Sequence, residues 1–328
     1  MRLPCCLLAI VGFSLCVPTT SYAVDLSPGD IVVSDPTADA VLRVDPRTGG
    51  VDVISSGGHL YSPHGIALDA AGNVIAVVDY NNVTEYGKIV HVDVSTGAQT
   101  VLAAFGHAAN PWYPVVLPDG NILYSDYDSP ASIRRLDITT GGISIVSEGG
   151  LLRHSLNMVL AGQKLFLTDH TGKLYLVDPR IVSVDLVTGA QAVVSSGDLL
   201  HRPYGITSDP ATGLLYVADQ GFEGLRDGRI IRVDPATGSQ TLVSEGNLLW
   251  DPSDLAFDLN GELLVTDVRG NNPSAIVSVD PATGSQSLLA SDVGPSVWGV
   301  AVFVPEPTTL FLLVCGAACL GRRRHPRP

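Results

Sequence analysis

The sequence predicts an all-β fold, a six-bladed β-propeller, from a repeated corner, its period and the runs that flank it. The five-residue phrase Asp-x-x-Thr-Gly occurs six times in the 328 residues. A short β-branched run precedes each copy and another follows it. Units of this length that hold four strands are typical of propeller blades. The final glycines of the phrases, spaced 44 to 49 residues apart, are Gly49, Gly97, Gly141, Gly189, Gly238 and Gly284.

The chemistry of the phrase suits a tight turn between two strands. In the copy that runs from Asp234 to Gly238, the Asp side chain can accept hydrogen bonds from backbone N–H groups two residues on. The Pro presets φ, and the Gly supplies a left-handed residue. Each phrase is therefore interpreted as the turn between the third strand (c) and the fourth strand (d) of a blade.

The two ends of the repeated region predict how the ring closes. The first unit begins at a second strand (b), residues 31–34, and the last ends at a first strand (a), residues 298–303. The two fragments complete each other, so one blade is expected to use both ends of the chain and to leave no open edge. The fourth unit departs from the pattern at residues 173–183, which predicts a lengthened or bulged outer hairpin.

Composition excludes some partners and chemistries. The net charge is −14, and residues 24–304 alone hold 32 acidic against 14 basic residues. Such an acidic surface disfavours nucleic acid and anionic lipid as partners. All five cysteines lie outside residues 24–304, which excludes disulfides, thiolate metal sites and cysteine nucleophiles from that region. They are Cys5, Cys6, Cys16, Cys315 and Cys319.

Residues 1–23 read as a secretory signal peptide, residues 24–303 as the propeller and residues 304–328 as a separate tail. Arg2 gives a positive start, residues 5–17 are largely apolar, and Ser21-Tyr22-Ala23 is a cleavage site of small-x-small type. A lipoprotein signal at Cys16 is the alternative, but Leu15 is too large for the position before a lipidated cysteine. The sequence therefore predicts export.

The tail has three parts in a fixed order: Pro305-Glu306-Pro307, thirteen mostly apolar residues at 308–320, and Arg322-Arg323-Arg324. Thirteen residues are short for a spanning helix, which needs roughly 20, yet the basic end fits a membrane-inserted segment. The tail resembles the PEP-CTERM sorting signal of exported proteins in exopolysaccharide-making Gram-negative bacteria. That resemblance implies an exosortase-type processing enzyme as partner, a membrane anchor before processing, and a place in the cell envelope or extracellular matrix.

The propeller region resembles a family through its Pro-x-Gly-Ile phrase, its Asp-Gly-Asn turn and the aspartate that ends strand b. These motifs are similar to those of NHL-type propellers and of their gluconolactonase and streptogramin-lyase relatives. The gluconolactonases hold a metal with Glu, Asn and Asp, two of them at the x of Pro-x-Gly. No carboxylate occupies those positions here, and only Asn157 and Asp254 lie close by. The residues at x are His64, Trp112, Ser155, Tyr204, Ser253 and Trp298.

The lyase relatives use His and Glu near the channel mouth, which makes His64 the one candidate general base. No Glu partner for it is identifiable in the sequence, and a base needs a positioned partner. We predict no cofactor and no metal ligand set, although the acidic surface would tolerate Ca²⁺.

The residues just before each strand a are expected to crowd the mouth of the central channel. Aromatic faces with hydrogen-bonding neighbours suit sugar rings or a peptide loop, and a channel plug is the alternative. Trp250 is expected beside this mouth. The candidate ligand-binding residues are His64, Trp112, Tyr113, Asn157, Tyr204, Asp254 and Trp298.

Two further sets recur from blade to blade. His59, His107, His154 and His201 fall in loops from strand d to the next strand a, and form either a zinc site or, as we favour, a solvated rim. An aspartate ends each strand b. The six aspartates form either a ring of calcium ligands or caps on the loops that follow their strands. These aspartates are Asp35, Asp79, Asp126, Asp169, Asp219 and Asp267.

Together these features predict an exported propeller that acts as a non-catalytic binding module for a glycan, a peptide or an extracellular matrix component. An exopolysaccharide or an envelope protein would be its partner. A lactonase- or lyase-like enzyme acting through His64 is one alternative, and a purely structural matrix protein is another.

Overall fold

The computed structural model describes residues 24–78, 87–105, 109–127, 130–171, 177–222, 225–270 and 272–305, with only the backbone of Thr20–Ser21, Thr171 and Val177. Every regular element in these ranges is a β-strand. The strands are β1 (Thr20–Ser21), β2 (Ile31–Asp35), β3 (Ala40–Val44), β4 (Val51–Ser56), β5 (Pro63–Leu68), β6 (Val74–Val78), β7 (Lys88–Val92), β8 (Gln99–Ala104), β9 (Pro111–Val116), β10 (Ile122–Asp126), β11 (Ser132–Leu136), β12 (Ile143–Glu148), β13 (Met158–Ala161), β14 (Lys164–Thr171), β15 (Val177–Asp185), β16 (Gln191–Ser196), β17 (Pro203–Ser208), β18 (Leu215–Asp219), β19 (Arg229–Val233), β20 (Gln240–Glu245), β21 (Pro252–Phe257), β22 (Leu263–Arg269), β23 (Asn272–Val279), β24 (Gln286–Ala290) and β25 (Val300–Val302).

The strands form six antiparallel sheets, which we number as blades 1 to 6. Blade 1 contains β25, β2, β3 and β4 in that order, and blade 2 contains β5 to β8. Blades 3, 4, 5 and 6 begin at β9, β13, β17 and β21, and each holds four consecutive strands. The first strands of neighbouring blades contact one another around a closed ring.

Blade 1 confirms the predicted use of both chain ends. Its strand a is β25, which pairs with β2 in the register Ile31 to Val302 and Val33 to Val300. On the outer edge of the same blade, the backbone of Thr20–Ser21 adds a short strand to β4, which the sequence had not indicated.

The core consists of six apolar layers, one between each pair of neighbouring blades. Between blades 6 and 1, for example, Val33 and Leu42 pack against Leu264 and Ile276. A blade whose two faces are both covered has no solvent-facing side in its inner strands. This explains why the inner strands read as continuous Val, Ile and Leu runs instead of alternating patterns.

The corner turns form as predicted. In blade 5, Asp234 Oδ1 accepts a hydrogen bond from Ala236 N at 2.8 Å, and Gly238 N donates to Asp234 O at 2.8 Å. Gly238 has φ of +74°, the left-handed conformation that favours glycine. The corner also packs against blade 4, because a Cβ on Gly238 would collide with the carbonyl oxygen of Val194.

The fourth unit is lengthened, as predicted, but in the hairpin between strands b and c instead of the outer one. Strand β14 has eight residues and β15 has nine, against five residues in the b and c strands of blades 1 to 3 and 5. The register shifts between Asp169 and Thr171, where this long hairpin bends.

The predicted signal peptide and sorting tail lie outside the described residues, apart from Thr20–Ser21 at one end and Val304 and Pro305 at the other. Across the part of the chain that the structure describes, no helix is long and apolar enough to cross a membrane.

Candidate functional site at the channel mouth

The starts of the first strands meet at one end of the central channel because glycines let neighbouring blades approach. A Cβ on Gly205 would lie 2.6 Å from the Cα of Asp254, and one on Gly65 would lie 2.6 Å from the Cα of Tyr113. No side chain fits at these distances. The Pro-x-Gly phrase therefore brings the mouth residues of adjacent blades into contact.

Hydroxyl groups near the end of strand b hold the mouth backbone of the next blade. Ser125 Oγ donates to Leu156 O at 2.9 Å, and Thr266 Oγ1 donates to Trp298 O at 2.8 Å. Ser34 donates in the same way to the carbonyl of His64. Each Ser-Asp or Thr-Asp pair at the end of strand b therefore has two roles: its hydroxyl holds the next blade, and its aspartate holds a loop. The role of the hydroxyl was not predicted from the sequence.

The aspartate at the end of strand b accepts hydrogen bonds mainly from the loop that precedes strand a of its own blade. In some blades it also accepts them from the loop that follows strand b. Asp267 Oδ1 accepts from Trp250 N at 2.9 Å and from Asp251 N at 2.8 Å. In blade 4, Asp169 Oδ2 accepts from Arg153 N at 2.8 Å. Asp35 and Asp219 also cap the loop that follows their strand, as one of the two interpretations of the sequence predicts.

An aromatic belt, which we define as Tyr204, Trp298, His64, Trp112, Tyr127, His154 and His170, runs across five blades at the mouth. The His64 ring lies 4.8 Å from Trp112 and 5.3 Å from Trp298, centroid to centroid. The two indoles are 6.2 Å apart in an edge-to-face arrangement. Both tryptophans remain partly exposed, so the centre of the belt presents aromatic surface to solvent.

A polar layer adjoins the belt. Asn157 Nδ2 donates to Asp254 Oδ1 at 2.6 Å, which joins blades 4 and 6 across the channel. Asp254 also accepts from Val300 N at 2.9 Å and from Leu255 N at 2.8 Å. Burial nevertheless raises the pKa of Asp254 to about 7, because desolvation of the carboxylate outweighs these hydrogen bonds.

His64 is a neutral imidazole at neutral pH. Burial lowers its pKa to about 4, and the hydrogen bond with the Ser62 carbonyl offsets only part of this effect. Its Nδ1 lies 3.1 Å from Ser62 O, so Nδ1 carries the proton and Nε2 is an acceptor. Among the described residues, no carboxylate is hydrogen-bonded to this ring. With this pKa, His64 is a weaker base than a free imidazole.

The indole Nε1 of Trp112 and the hydroxyl of Tyr113 are buried at the mouth and have no hydrogen-bond partner within the described ranges. Tyr113 is 3% exposed, and burial together with the nearby charge of Asp254 raises the pKa of its hydroxyl. Buried polar groups are normally satisfied, so each of these atoms requires a water or a ligand group.

The structure thus brings all seven candidate ligand-binding residues to one end of the channel. Within the described residues, Trp250 makes no ring contact with these seven, and Arg226 stacks over its ring at 3.9 Å. His201 packs against Phe222 at 4.2 Å, and His154 belongs to the aromatic belt. Over the described part of the chain, no three His, Cys, Asp or Glu residues are grouped to hold a metal ion. His107 and Asp79 fall outside the described residues.

No protein-family model matches the sequence, and no curated protein matches it. Solved structures do. A chain of the crystal structure of the nidogen/laminin complex has a TM-score of 0.67 at 16% identity, over 84% of this chain and 99% of that one. TolB from Acinetobacter baumannii has a TM-score of 0.62 at 17% identity, over 84% of this chain and 66% of TolB. The chain is a six-bladed β-propeller. At these identities the similarity establishes the fold alone.

The opposite end of the propeller holds a cavity that the sequence did not indicate. Its volume is about 1250 Å³, and it opens where the first strands of blades 1 to 4 end. The lining is mainly aliphatic, with Asp69, His91 and Asp119 as its charged or titratable members. Because its walls come from four different blades, no local pattern marks it.

Proposed function

We propose that the protein is an exported, non-catalytic binding module that recognises a neutral glycan at the aromatic mouth of the propeller. The observation that carries the proposal is the pair of unsatisfied donors, Trp112 Nε1 and the Tyr113 hydroxyl, beside two partly exposed indole rings. A sugar ring offers C–H groups for stacking and hydroxyl oxygens that accept hydrogen bonds, so it suits both features.

Electrostatics favour a neutral sugar chain over an anionic one. Residues 24–304 hold 32 acidic against 14 basic residues, and the polar layer of the mouth contains Asp254. A polyuronate or a sulfated glycan would be repelled by this potential. The belt also crosses several blades, which gives room for more than one sugar unit in a row.

The tail supports an envelope location. Pro305-Glu306-Pro307, the apolar run and Arg322-Arg323-Arg324 have the order of a sorting signal, and we propose that an exosortase-type enzyme processes it. A full-length variant with all three arginines changed to alanine should stay unprocessed. Mass spectrometry of the envelope fraction would detect that change.

An enzyme of the lactonase or lyase type is less well supported. His64 is neutral with a pKa of about 4, and Asn157 and Asp254 are engaged with each other at 2.6 Å. A hard cation prefers several oxygen ligands, and these two residues offer few that are not already bonded.

The deciding experiment is a tryptophan-fluorescence titration of the purified full chain with defined neutral oligosaccharides of two to six sugar units. A saturable change is expected for at least one of them, and Trp112→Leu and Trp298→Leu should each weaken it about tenfold or more, as for stacking anchors. Trp250→Leu is the matched control and should leave the affinity unchanged. If no neutral oligosaccharide binds while a peptide library or a uronate does, the assignment of a neutral glycan as ligand is wrong.

A further inference from the structure

The cavity at the opposite end of the propeller lies beside the point where the chain leaves the fold. Val302, Phe303 and Val304 form part of its wall. This part of the wall is held to the fold, because Phe303 N donates to Asp30 O and Phe303 O accepts from Gly29 N, both at 2.9 Å. The Phe303 ring also covers Gly72, where a Cβ would lie 2.6 Å from Cε2. The next residues of the chain therefore start at the cavity rim.

The sequence that follows is apolar and close enough to enter. The run 308–320 begins four residues beyond Val304, a distance of about 13 Å for an extended chain. Val304 itself is 59% exposed. Pockets that bury a drug-sized molecule measure roughly 300–1000 Å³, so a cavity of about 1250 Å³ holds several large side chains.

Charge at this face complements the end of the tail. The corner turns lie at the same end of the propeller, and hydrogen bonds from the next residues hold the pKa of each corner aspartate below its usual range. The carboxylates are therefore ionised at neutral pH. Arg322, Arg323 and Arg324 follow the apolar run directly. The six corner aspartates are Asp45, Asp93, Asp137, Asp185, Asp234 and Asp280.

We propose that the cavity receives the apolar segment 308–320 of the same chain, with Arg322–Arg324 against the acidic corner face. Docking shelters apolar side chains from water until a membrane or a processing enzyme takes the tail. After loss of the tail, the cavity is open to another apolar ligand. The inference does not depend on what binds at the aromatic mouth.

Thiol reactivity of the full chain tests the proposal. Cys5, Cys6, Cys16 and Cys319 are changed to serine, which leaves Cys315 in the middle of the apolar run as the sole thiol. Its reaction with a water-soluble maleimide, without detergent, should be roughly tenfold slower than in the urea-unfolded chain, as for a segment docked about nine-tenths of the time.

Two variants of the cavity should release Cys315. Ile138→Arg places a charge on an exposed part of the lining, and Ala67→Trp fills the cavity without removing a core side chain. Both should bring the rate close to the unfolded value. Ile145→Arg is the matched control: it lies in the same blade, is 54% exposed against 48% for Ile138, and is not part of the lining.

Three results would overturn the inference. Cys315 could react fast in every variant, which means that the tail is not docked. It could react slowly in every variant, which places the tail elsewhere. Protection that rises with protein concentration would assign the cavity to the tail of a second copy. Circular dichroism of each variant distinguishes release of the tail from loss of the fold.

Discussion

Gln240 Nε2 donates a hydrogen bond to Ser195 Oγ at 2.9 Å, across the boundary between blades 4 and 5. Ser195 Oγ in turn donates to Gly238 O at 2.7 Å. The Gln240 amide also donates to Gly197 O at 3.0 Å and accepts from Leu199 N at 2.8 Å. Every polar group of this Ser-Gln clamp is therefore satisfied within a partly buried interface.

The clamp recurs at four blade boundaries and is replaced as a unit at the other two. The further clamps are Ser55 with Gln99, Ser147 with Gln191 and Ser244 with Gln286. Between blades 2 and 3 the equivalent positions are Ala103 and Ile143, and between blades 6 and 1 they are Ala290 and Val51. Removal of one partner alone would leave a buried polar group unpaired, which explains why both change together.

A double-mutant cycle at Ser195 and Gln240 tests this interpretation. Ser195→Ala and Gln240→Val should each lower the free energy of unfolding by about 1–3 kcal/mol, because each leaves the remaining polar side chain without its hydrogen-bond partner. The double variant, which copies Ala290 and Val51, should cost less than the sum of the two, with a coupling of about 1 kcal/mol or more.

The control for that cycle uses exposed neighbours on the same strands, Ser196→Ala and Thr241→Val. Each should change the free energy of unfolding by no more than about 0.5 kcal/mol, and their effects should add. Urea denaturation measures all of these values. Strict additivity at Ser195 and Gln240 would mean that the clamp contributes no stability as a pair.

Gly205→Ala should destabilise the fold more than a glycine substitution at an open turn. The new Cβ would lie 2.6 Å from the Cα of Asp254, and such overpacking costs about 2–3 kcal/mol. Gly246→Ala is the comparison, since it has φ of +61° and nothing within 4 Å, and strain there costs about 1 kcal/mol. Equal losses in urea denaturation would show that the blades can move apart at the mouth.

The repeat made most of the fold predictable from the sequence, because each corner is a local pattern of five residues. Closure of blade 1 followed from counting strands at the two chain ends, and the pairing of Ile31 with Val302 confirms it. The gathering of the aromatics at the mouth was also foreseeable, since they precede each strand a. The prediction that a glycan, peptide or matrix component binds there stays untested.

Contacts between distant parts of the chain could not be predicted in this way. Asn157 and Asp254 are 97 residues apart, and nothing local to either residue indicates the other. The hydrogen bond from Trp250 N to Asp267 spans 17 residues and depends on how strands a and b lie side by side. The first contact arises from closure of the ring, and the second from the pairing of strands within one blade.

The strand-b aspartates should not require calcium for stability. Asp169 Oδ1 lies 3.0 Å from Arg180 Nη2, and Asp126 Oδ2 lies 3.0 Å from Arg134 Nε. A cation would have to displace these arginines, so a chelator should leave the melting temperature of the full chain unchanged. A drop that added Ca²⁺ reverses would contradict the structural role of these carboxylates.

Arg180→Met tests the ion pair between Arg180 and Asp169 by removing the arginine. Arg180 and Asp169 are both buried, and loss of the guanidinium would leave an uncompensated carboxylate, at a cost of about 3–5 kcal/mol. Arg47→Met is the control, because Arg47 is largely exposed in its pair with Asp45 and its loss should have little effect on the melting temperature.

The pH dependence of stability should identify Asp254 as a group that is protonated in the fold. Burial raises its pKa from 3.8 to about 7, so between these values the folded chain holds a proton that the unfolded chain has released. The stability that it contributes is full below about pH 4 and is lost as pH rises through 7. Asn cannot ionise, so the stability of Asp254→Asn relative to the wild type should rise from about pH 4 to pH 7, by at most about 1.4 kcal/mol per pH unit, and stay level above pH 7.

His64 changes stability in the opposite direction and provides the control. Its pKa falls from 6.5 to about 4 in the fold, so the unfolded chain binds more protons in that window and wild-type stability from this group rises with pH. The stability of His64→Gln relative to the wild type should therefore fall as the pH rises from about 4 to 6.5. Urea denaturation at constant ionic strength measures both slopes. A flat difference between Asp254→Asn and the wild type from pH 4 to pH 7 would mean that Asp254 is ionised in the fold and that its hydrogen bonds to Asn157, Val300 and Leu255 outweigh its burial.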